Sequence, residues 1–338
     1  MSHATATKTA APAAKSAAKK PAKKKVSAFS TRKVDPAYYW MAVPAAIIFA
    51  FFLYLPFLDG VKYSFTNSQG YGDYKFIGLK NYIALFQDNR VGHAYLFTFF
   101  IAILITVLIN VIALFLSVML NSKIAFKNGF RAIFFIPYTL SVLVIGYVFK
   151  YIFMNPLPEL GKALGIKWLS TSLLTNEQLS WIPIVFLAVW QGIAYSVLIY
   201  LAGLQTIDDE IYEAAAIDGA GPVRQFFNIT LPMITPTILF NLITSIISSF
   251  QQVTLVMLLT NGGPMKSTYF YGLMTYNNAF KFHKLGYASA NAWVMFIIIL
   301  LLSALVFKSS DTWVFYESTA NKNKAKKGKK AKGKEVAR

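Results

Sequence analysis

The residue types that ordinarily carry bond chemistry are scarce in this chain. It has no cysteine, which excludes a disulfide framework, a thiolate metal site, an iron–sulfur cluster and a thiol nucleophile. Its three histidines, His3, His93 and His283, are too scattered to suggest a metal or catalytic cluster. No Gly-x-x-x-x-Gly-Lys-Ser/Thr loop is present, so any ATP hydrolysis must come from another polypeptide. Two groups of residues remain. One is a run of acids, Asp208, Asp209, Glu210, Glu213 and Asp218, opposed only by Arg224 within residues 204–231. The other is a set of uncharged polar residues inside apolar stretches. It comprises Trp190, Gln191 and Gly192 followed by Tyr195 and Ser196, then Ser248, Ser249, Gln251 and Gln252. Hydroxyl, amide and aromatic groups without charge suit a sugar, whose hydroxyls need hydrogen bonds and whose ring faces stack. They suit hydrogen bonding between packed helices equally well.

The elements that must hold these groups are membrane helices. The 338 residues carry a net charge of +19, yet 56% are hydrophobic and only 14% are charged. Soluble domains carry about a quarter charged residues. Charge-free apolar runs fall at 36–58, 94–120, 132–149, 178–207, 225–265 and 285–307. Crossing ~30 Å of hydrocarbon takes ~20 helical residues. The short third run is bracketed by Arg131 and Lys150, which can snorkel outward. The overlong fifth is punctuated by Pro232, Pro236 and Asn261-Gly262-Gly263-Pro264, which places its spanning part near 233–258. The expected fold is all-α and polytopic, with six transmembrane helices. The charged N-terminal region is too long for a secretory signal, so the first helix should remain as an anchor.

The basic residues gather at the ends. Residues 1–35 hold nine Lys/Arg and one acid, and residues 308–338 hold ten Lys/Arg and three acids. With the N-terminus inside, inner segments carry 23 Lys/Arg against 8 in outer loops, which sets both termini in the cytoplasm. The expected organisation is a disordered basic tail over 1–35, a membrane domain over 36–310 and a second basic tail over 311–338. Such tails attract anionic membrane lipid, or serve only as solvated orientation signals. No stacking aromatics interleave with their lysines, so nucleic acid is not an expected partner.

The acidic inner loop breaks the charge rule. Asp208 or Asp209 can cap a short helix whose first turn is acidic, and Ile211, Ala214, Ala215 and Asp218 follow at helical spacing. Gly219 sits where a left-handed cap would stop that helix, and Pro222 suits the first position of the next. Phe226, Phe227 and Ile229 form an apolar edge before Leu231 and Pro232 lead into the fifth span. The result is a helix–turn–helix elbow, either packed on its own bundle or presented to a cytoplasmic partner.

The elbow carries a recognisable pattern. Glu213-Ala214-Ala215, three residues, Gly219, nine residues and Ile229-Thr230-Leu231-Pro232 resemble the EAA signature of importer-type ABC transporter permeases at each signature position. The resemblance extends over most of residues 36–310. It includes Gly78-Leu79-Lys80-Asn81-Tyr82, the stretch 131–137, Phe153-Met154-Asn155-Pro156, the stretch 259–264 and Leu285-Gly286-Tyr287-Ala288-Ser289-Ala290. These segments are similar to the carbohydrate branch, the maltose-type and glycerol-phosphate-type permeases; the lysine-rich tails lie outside it.

The resemblance implies a type I ABC importer permease fold in a bacterial inner membrane and a role for each motif residue. Glu213 would make the ionic contact with a cytoplasmic ATPase. Ala214 and Ala215 would allow close approach, Gly219 would break the helix pair, and Ile229, Leu231 and Pro232 would complete the coupling motif. It also implies a second permease subunit in a heterodimer, two ATP-binding subunits, an extracytoplasmic solute-binding protein and a sugar substrate. Glycerol phosphate or another polar solute is the alternative. By position, Gly192, Tyr195, Ser249 and Gln252 fall where the maltose-type permease contacts sugar, beside Gln191. Ser249 and Gln252 replace asparagines there, which puts the identity of the sugar in doubt. No metal and no cofactor are implied, and the chain would bind and gate without catalysing a bond change.

Overall fold

The computed structural model describes residues 36–122 and 126–314. The tail expected over 1–35 lies outside the described residues, as does the one expected over 311–338 apart from 311–314, where the last long helix continues to Trp313 instead of ending at 310. The chain divides into two compact units, 1–55 and 56–338. In the first, α1 (Pro36–Phe49) runs into a π-helical turn over Ala50–Tyr54, closed by the Leu55 N–H on the Ala50 carbonyl.

The second unit is built almost wholly of helices. After α2 (Leu55–Ser64) and the short α3 (Lys80–Gln87) come α4 (Asn89–Asn121), α5 (Lys127–Thr139), α6 (Val142–Met154) and α7 (Pro156–Ala163). Then follow α8 (Trp181–Leu204), α9 (Asp209–Ile217), α10 (Pro222–Gln225), α11 (Leu231–Met233), α12 (Thr235–Ser249) and α13 (Val253–Leu259). A short α14 (Tyr271–Tyr276) precedes the long α15 (Leu285–Trp313). Among the described residues the only β pairing is an isolated bridge between Thr66 and Phe76.

Four stretches are long and apolar enough to cross a membrane: Trp40–Ser64, Asn89–Asn121, Trp181–Leu204 and Leu285–Trp313. Two more crossings arise if each of two bent pairs counts as one span, reaching the expected six. The third span bends by 94° between α5 and α6. There Leu140 and Ser141 are extended, and the Ser141 hydroxyl accepts from the Leu143 N–H at 3.3 Å, restarting the helix. The fifth bends by 67° just before α12. Ile234 leaves the helical region there, at φ −90 and ψ 6, and Pro236 sits in the first turn of α12, where its missing N–H is harmless.

The fifth run also departs from the single 233–258 helix expected of it. It breaks again between Ser249 and Val253, where the Val253 N–H turns back to the Gln251 carbonyl at 2.8 Å. The third and fifth spans are therefore discontinuous, and the breaks at 140–141 and 250–252 border one region of the molecule.

The core runs along the seam of α4 and α8. Ile101, Ile105 and Ile109 of α4 meet Ile184, Leu187 and Ala188 of α8, all within 3% of full burial. Leu255, Val256 and Leu259 of α13 close the same cluster. The opposite face of α4, with Val111 and Phe115 more than 60% exposed, is equally apolar. A helix hydrophobic all round is what a lipid-facing span requires. One charged side chain enters this region: the Lys150 ammonium donates to the Leu258 carbonyl at 3.0 Å, satisfying a carbonyl in the last turn of α13.

Candidate functional site

Both discontinuities open onto a cavity of about 450 Å³. The α5–α6 bend contributes Tyr138, Leu140 and Val142; α8 contributes Gln191, Gly192, Tyr195 and Ser196. From α12 and the break after it come Thr244, Ser245, Ser248 and Gln252, with Ile109 of α4 behind. No lining residue is charged.

Hydrogen bonding within the wall determines what it still offers a ligand. Ser248 donates its hydroxyl to the Ser245 carbonyl at 3.1 Å, and Thr244 donates to the Phe240 carbonyl at 2.9 Å. Both hydroxyl oxygens therefore keep lone pairs as acceptors. The Gln252 amide donates to the Ser248 carbonyl at 3.1 Å and keeps its own carbonyl as an acceptor. Gln191 and Tyr195, both half-buried, can still donate and accept. Tyr195 stacks on Tyr138 with ring centroids 5.6 Å apart and planes 27° apart, forming an aromatic wall. Acceptors, donors and a flat aromatic surface without charge form a surface for a polyhydroxylated solute.

Of the five residues singled out for the pathway, Gln191, Gly192, Tyr195 and Gln252 line this cavity. Ser249 does not. It is fully buried and accepts a hydrogen bond from Thr106 of α4 at 3.2 Å, while its neighbour Ser248 faces the cavity. Gly192 has a packing reason for its identity: a Cβ there would collide with the Ile109 Cδ1. The glycine lets α4 and α8 close on each other, besides leaving the backbone accessible from the cavity.

Asn110 ties the wall together. Its amide donates to the Ser245 hydroxyl at 2.7 Å and to the Thr106 carbonyl at 2.8 Å, and its carbonyl accepts from the Tyr200 hydroxyl at 2.7 Å. One side chain thus joins α4, α8 and α12. A lone asparagine inside an apolar span was the available signal for it. Tyr138 had no such signal, because the bend that turns it inward has no strong local signature.

The acidic elbow forms as α9, the short α10 and a π-helical turn over Phe226–Thr230. The cap expected of Asp208 or Asp209 is absent. Asp208 precedes α9 with an extended backbone but no side-chain cap bond, leaving Asp209 and Glu210 to favour the helix dipole. Gly219 has φ +75, with its N–H on the Ala216 carbonyl at 3.0 Å and the Ala220 N–H on the Ala215 carbonyl at 2.9 Å. These paired bonds form a Schellman stop. Leu204, Ile207 and Ile234 bury together beneath the elbow, and the Tyr212 and Thr230 hydroxyls meet at 2.9 Å. Ile229, Leu231 and Pro232 are half-buried on this anchoring side.

The opposite side is open. Glu213 and Ala214 are exposed and Ala215 is half-buried. Glu213 makes no ion pair among the described residues. Ile217 is 87% exposed and Val223 71%, an apolar rim around the Gly219 stop that the sequence reading did not single out. Exposed apolar groups beside an unpaired acid form a surface suited to a partner rather than to water.

The profile of the family described as "Binding-protein-dependent transport system inner membrane component" matches residues 120–315, which include the cavity and the elbow. The chain is 39% identical to the multiple sugar-binding transport system permease protein MsmF of Streptococcus mutans over 277 residues, covering 80% of this chain and 95% of that one. It is 32% identical to the probable starch degradation products transport system permease protein AmyD of Thermoanaerobacterium thermosulfurigenes, covering 79% and 92%. Its fold superposes on a crystal structure of a bacterial ABC transporter involved in the import of the acidic polysaccharide alginate. The TM-score is 0.71 at 21% identity, covering 82% of this chain and 96% of that chain. A chain so matched, with its six possible crossings and its helix–turn–helix elbow, belongs to the inner-membrane permease family of binding-protein-dependent ABC importers.

Proposed function

We propose that this chain is the membrane-spanning permease subunit of a binding-protein-dependent ABC importer and that it moves a sugar or oligosaccharide. The observation that carries this reading is the uncharged cavity at the two helix breaks, lined by Gln191, Tyr195, Ser248 and Gln252 with Gly192 beneath. A phosphorylated solute would lack a cationic partner there, which favours a sugar over glycerol phosphate for this cavity. The sugar-transport names of MsmF and AmyD support the same choice.

Transport follows from alternating access. A solute-binding protein delivers the sugar at the end of the bundle remote from the elbow, and a second permease subunit completes the passage. Two cytoplasmic ATPase subunits engage the elbows, with Glu213 as the ionic contact and Ala214 and Ala215 allowing close approach. Both termini lie in the cytoplasm. Because α12 continues from the elbow through α11, displacement of the elbow tilts the wall that carries Thr244 and Ser248. This chain binds and gates; ATP hydrolysis occurs in its partner.

Reconstitution of the complete transporter tests the reading. ATPase activity should rise when the solute-binding protein is loaded with a neutral oligosaccharide. Glu213→Lys should insert normally yet lose that stimulation and uptake, because it reverses the charge proposed to meet a basic cleft. Normal uptake by that variant would remove the coupling assignment, and no stimulation by any saccharide would remove the sugar.

A further inference from the structure

At the end of α4 remote from the elbow, about 50 Å along this 33-residue helix, a second cavity of about 590 Å³ opens. It shares no lining residue with the cavity at the helix breaks, and its chemistry differs in kind. Asp88, Arg90, Lys266 and Lys284 all line it.

The single acid is already occupied. Arg90 donates to its two carboxylate oxygens through Nε at 2.9 Å and Nη2 at 2.8 Å, and its backbone N–H adds a bond at 2.9 Å. This pairing holds the Asp88 carboxyl below the ordinary carboxylate range. Neither Lys266 nor Lys284 has an ion pair among the described residues, and residues 258–290 contain no Asp or Glu. Asp88 alone thus stands against three cations on this lining, Arg90, Lys266 and Lys284. Lys266 is held at φ +63 and Met265 at φ +48, backbone conformations that residues with side chains seldom adopt.

Asn277 adds an unmet hydrogen-bonding need. It is 9% exposed, lines the cavity, and its Oδ1 has no hydrogen-bond partner. A buried acceptor in that state calls for a donor. Tyr269 and Tyr287 supply aromatic surface on the same lining.

We propose that this cavity binds a small hydroxylated organic anion, a saccharide carboxylate of the uronate type. Its carboxylate sits between Lys266 and Lys284, a hydroxyl meets the Asn277 side-chain amide, and a ring face lies against a tyrosine. The volume accommodates one or two sugar rings. The proposal does not depend on the transport reading, since it concerns binding alone at residues that the cavity at the helix breaks does not use.

The test is equilibrium binding to the full transporter in lipid nanodiscs, with digalacturonate as probe and an uncharged disaccharide as control. Digalacturonate should bind the wild type, and raised salt should weaken it. Lys266→Gln with Lys284→Gln should reduce its affinity about tenfold or more, as expected for losing charge-assisted hydrogen bonds. The Lys266→Arg, Lys284→Arg pair should retain most of the affinity, and Gln191→Ala should leave it unchanged. Equal affinity for the two disaccharides, or no effect of the double Gln variant, overturns the proposal. So does a double Gln variant that keeps digalacturonate affinity while losing the solute-binding protein, which would make the lysines a protein-docking surface instead.

Discussion

Gly192 has two possible reasons to be glycine, and one perturbation separates them. A methyl group at 192 meets the Ile109 Cδ1 at a forbidden distance and the Cγ1 at 3.0 Å, and Ile109, itself 3% exposed, can yield only toward the cavity it lines. Overpacking of this kind costs about 1–3 kcal/mol. Alanine's higher helix preference returns about 1 kcal/mol of that. Gly192→Ala should therefore destabilise the unit by up to about 2 kcal/mol. Ile109→Val removes the colliding Cδ1 and alone costs about 1 kcal/mol as a small cavity. In the double variant the methyl at 192 occupies the space that the lost Cδ1 vacates, so the two costs should not add. A coupling of about 1–2 kcal/mol in the favourable direction is expected. Unfolding of the purified protein by titrated denaturing detergent, followed by far-UV circular dichroism, reads the cycle. Uptake by the same four proteins shows whether restored packing restores transport. Additive destabilisation in the double variant would refute the packing account of this glycine. Restored stability without restored uptake would assign the glycine's importance to the cavity side instead.

Two further perturbations probe other parts of the scaffold. Asn110→Leu removes the acceptor of the buried Tyr200 hydroxyl, leaving it Asn241, and cuts the link to Ser245; it should cost about 0.5–1.5 kcal/mol. Sugar affinity should fall with it, since Ser245 lines the cavity, and a neutral effect in the same detergent titration would remove Asn110 as the tie among three helices. Gly219→Ala has open space around its Cβ, so its cost is the strain of φ +75, about 1–2 kcal/mol confined to the elbow. It should weaken ATPase association while leaving the detergent unfolding midpoint of the bundle nearly unchanged; full-strength association would show that the Schellman stop does not set the docking geometry.

The membrane spans and the elbow were legible in the sequence for different reasons. Spans such as Asn89–Asn121 and Trp181–Leu204 announce themselves because hydrocarbon demands an unbroken run without charge. The elbow was legible because its signals are local: Gly219 for a left-handed stop and Pro222 for a restart. Its side-chain cap was misjudged for the same reason. Asp208 is the right type in the right place, yet without a side-chain cap bond. The breaks at 140–141 and 250–252 were hidden, because apolar composition reads the same on a straight helix as on a bent pair. Ser249 illustrates the consequence for the site. Its place in the polar stretch of the fifth span suggested a solute contact, but rotation about the helix axis turned it to Thr106 and gave the cavity to Ser248.

Composition and spacing by themselves determined that this chain spans a membrane several times and carries an acidic helix–turn–helix elbow. Those are properties of hydrophobic run length, residue inventory and turn chemistry, all encoded over a few consecutive positions. Which polar residues share a cavity, and why Gly192 faces Ile109, was decided only by tertiary structure. So was the gathering of Lys266, Lys284 and Asn277 beside an acid already spent on Arg90. Those relations join residues far apart in sequence. They depend on where two helices break and how closely two others approach, quantities that only the packed bundle defines.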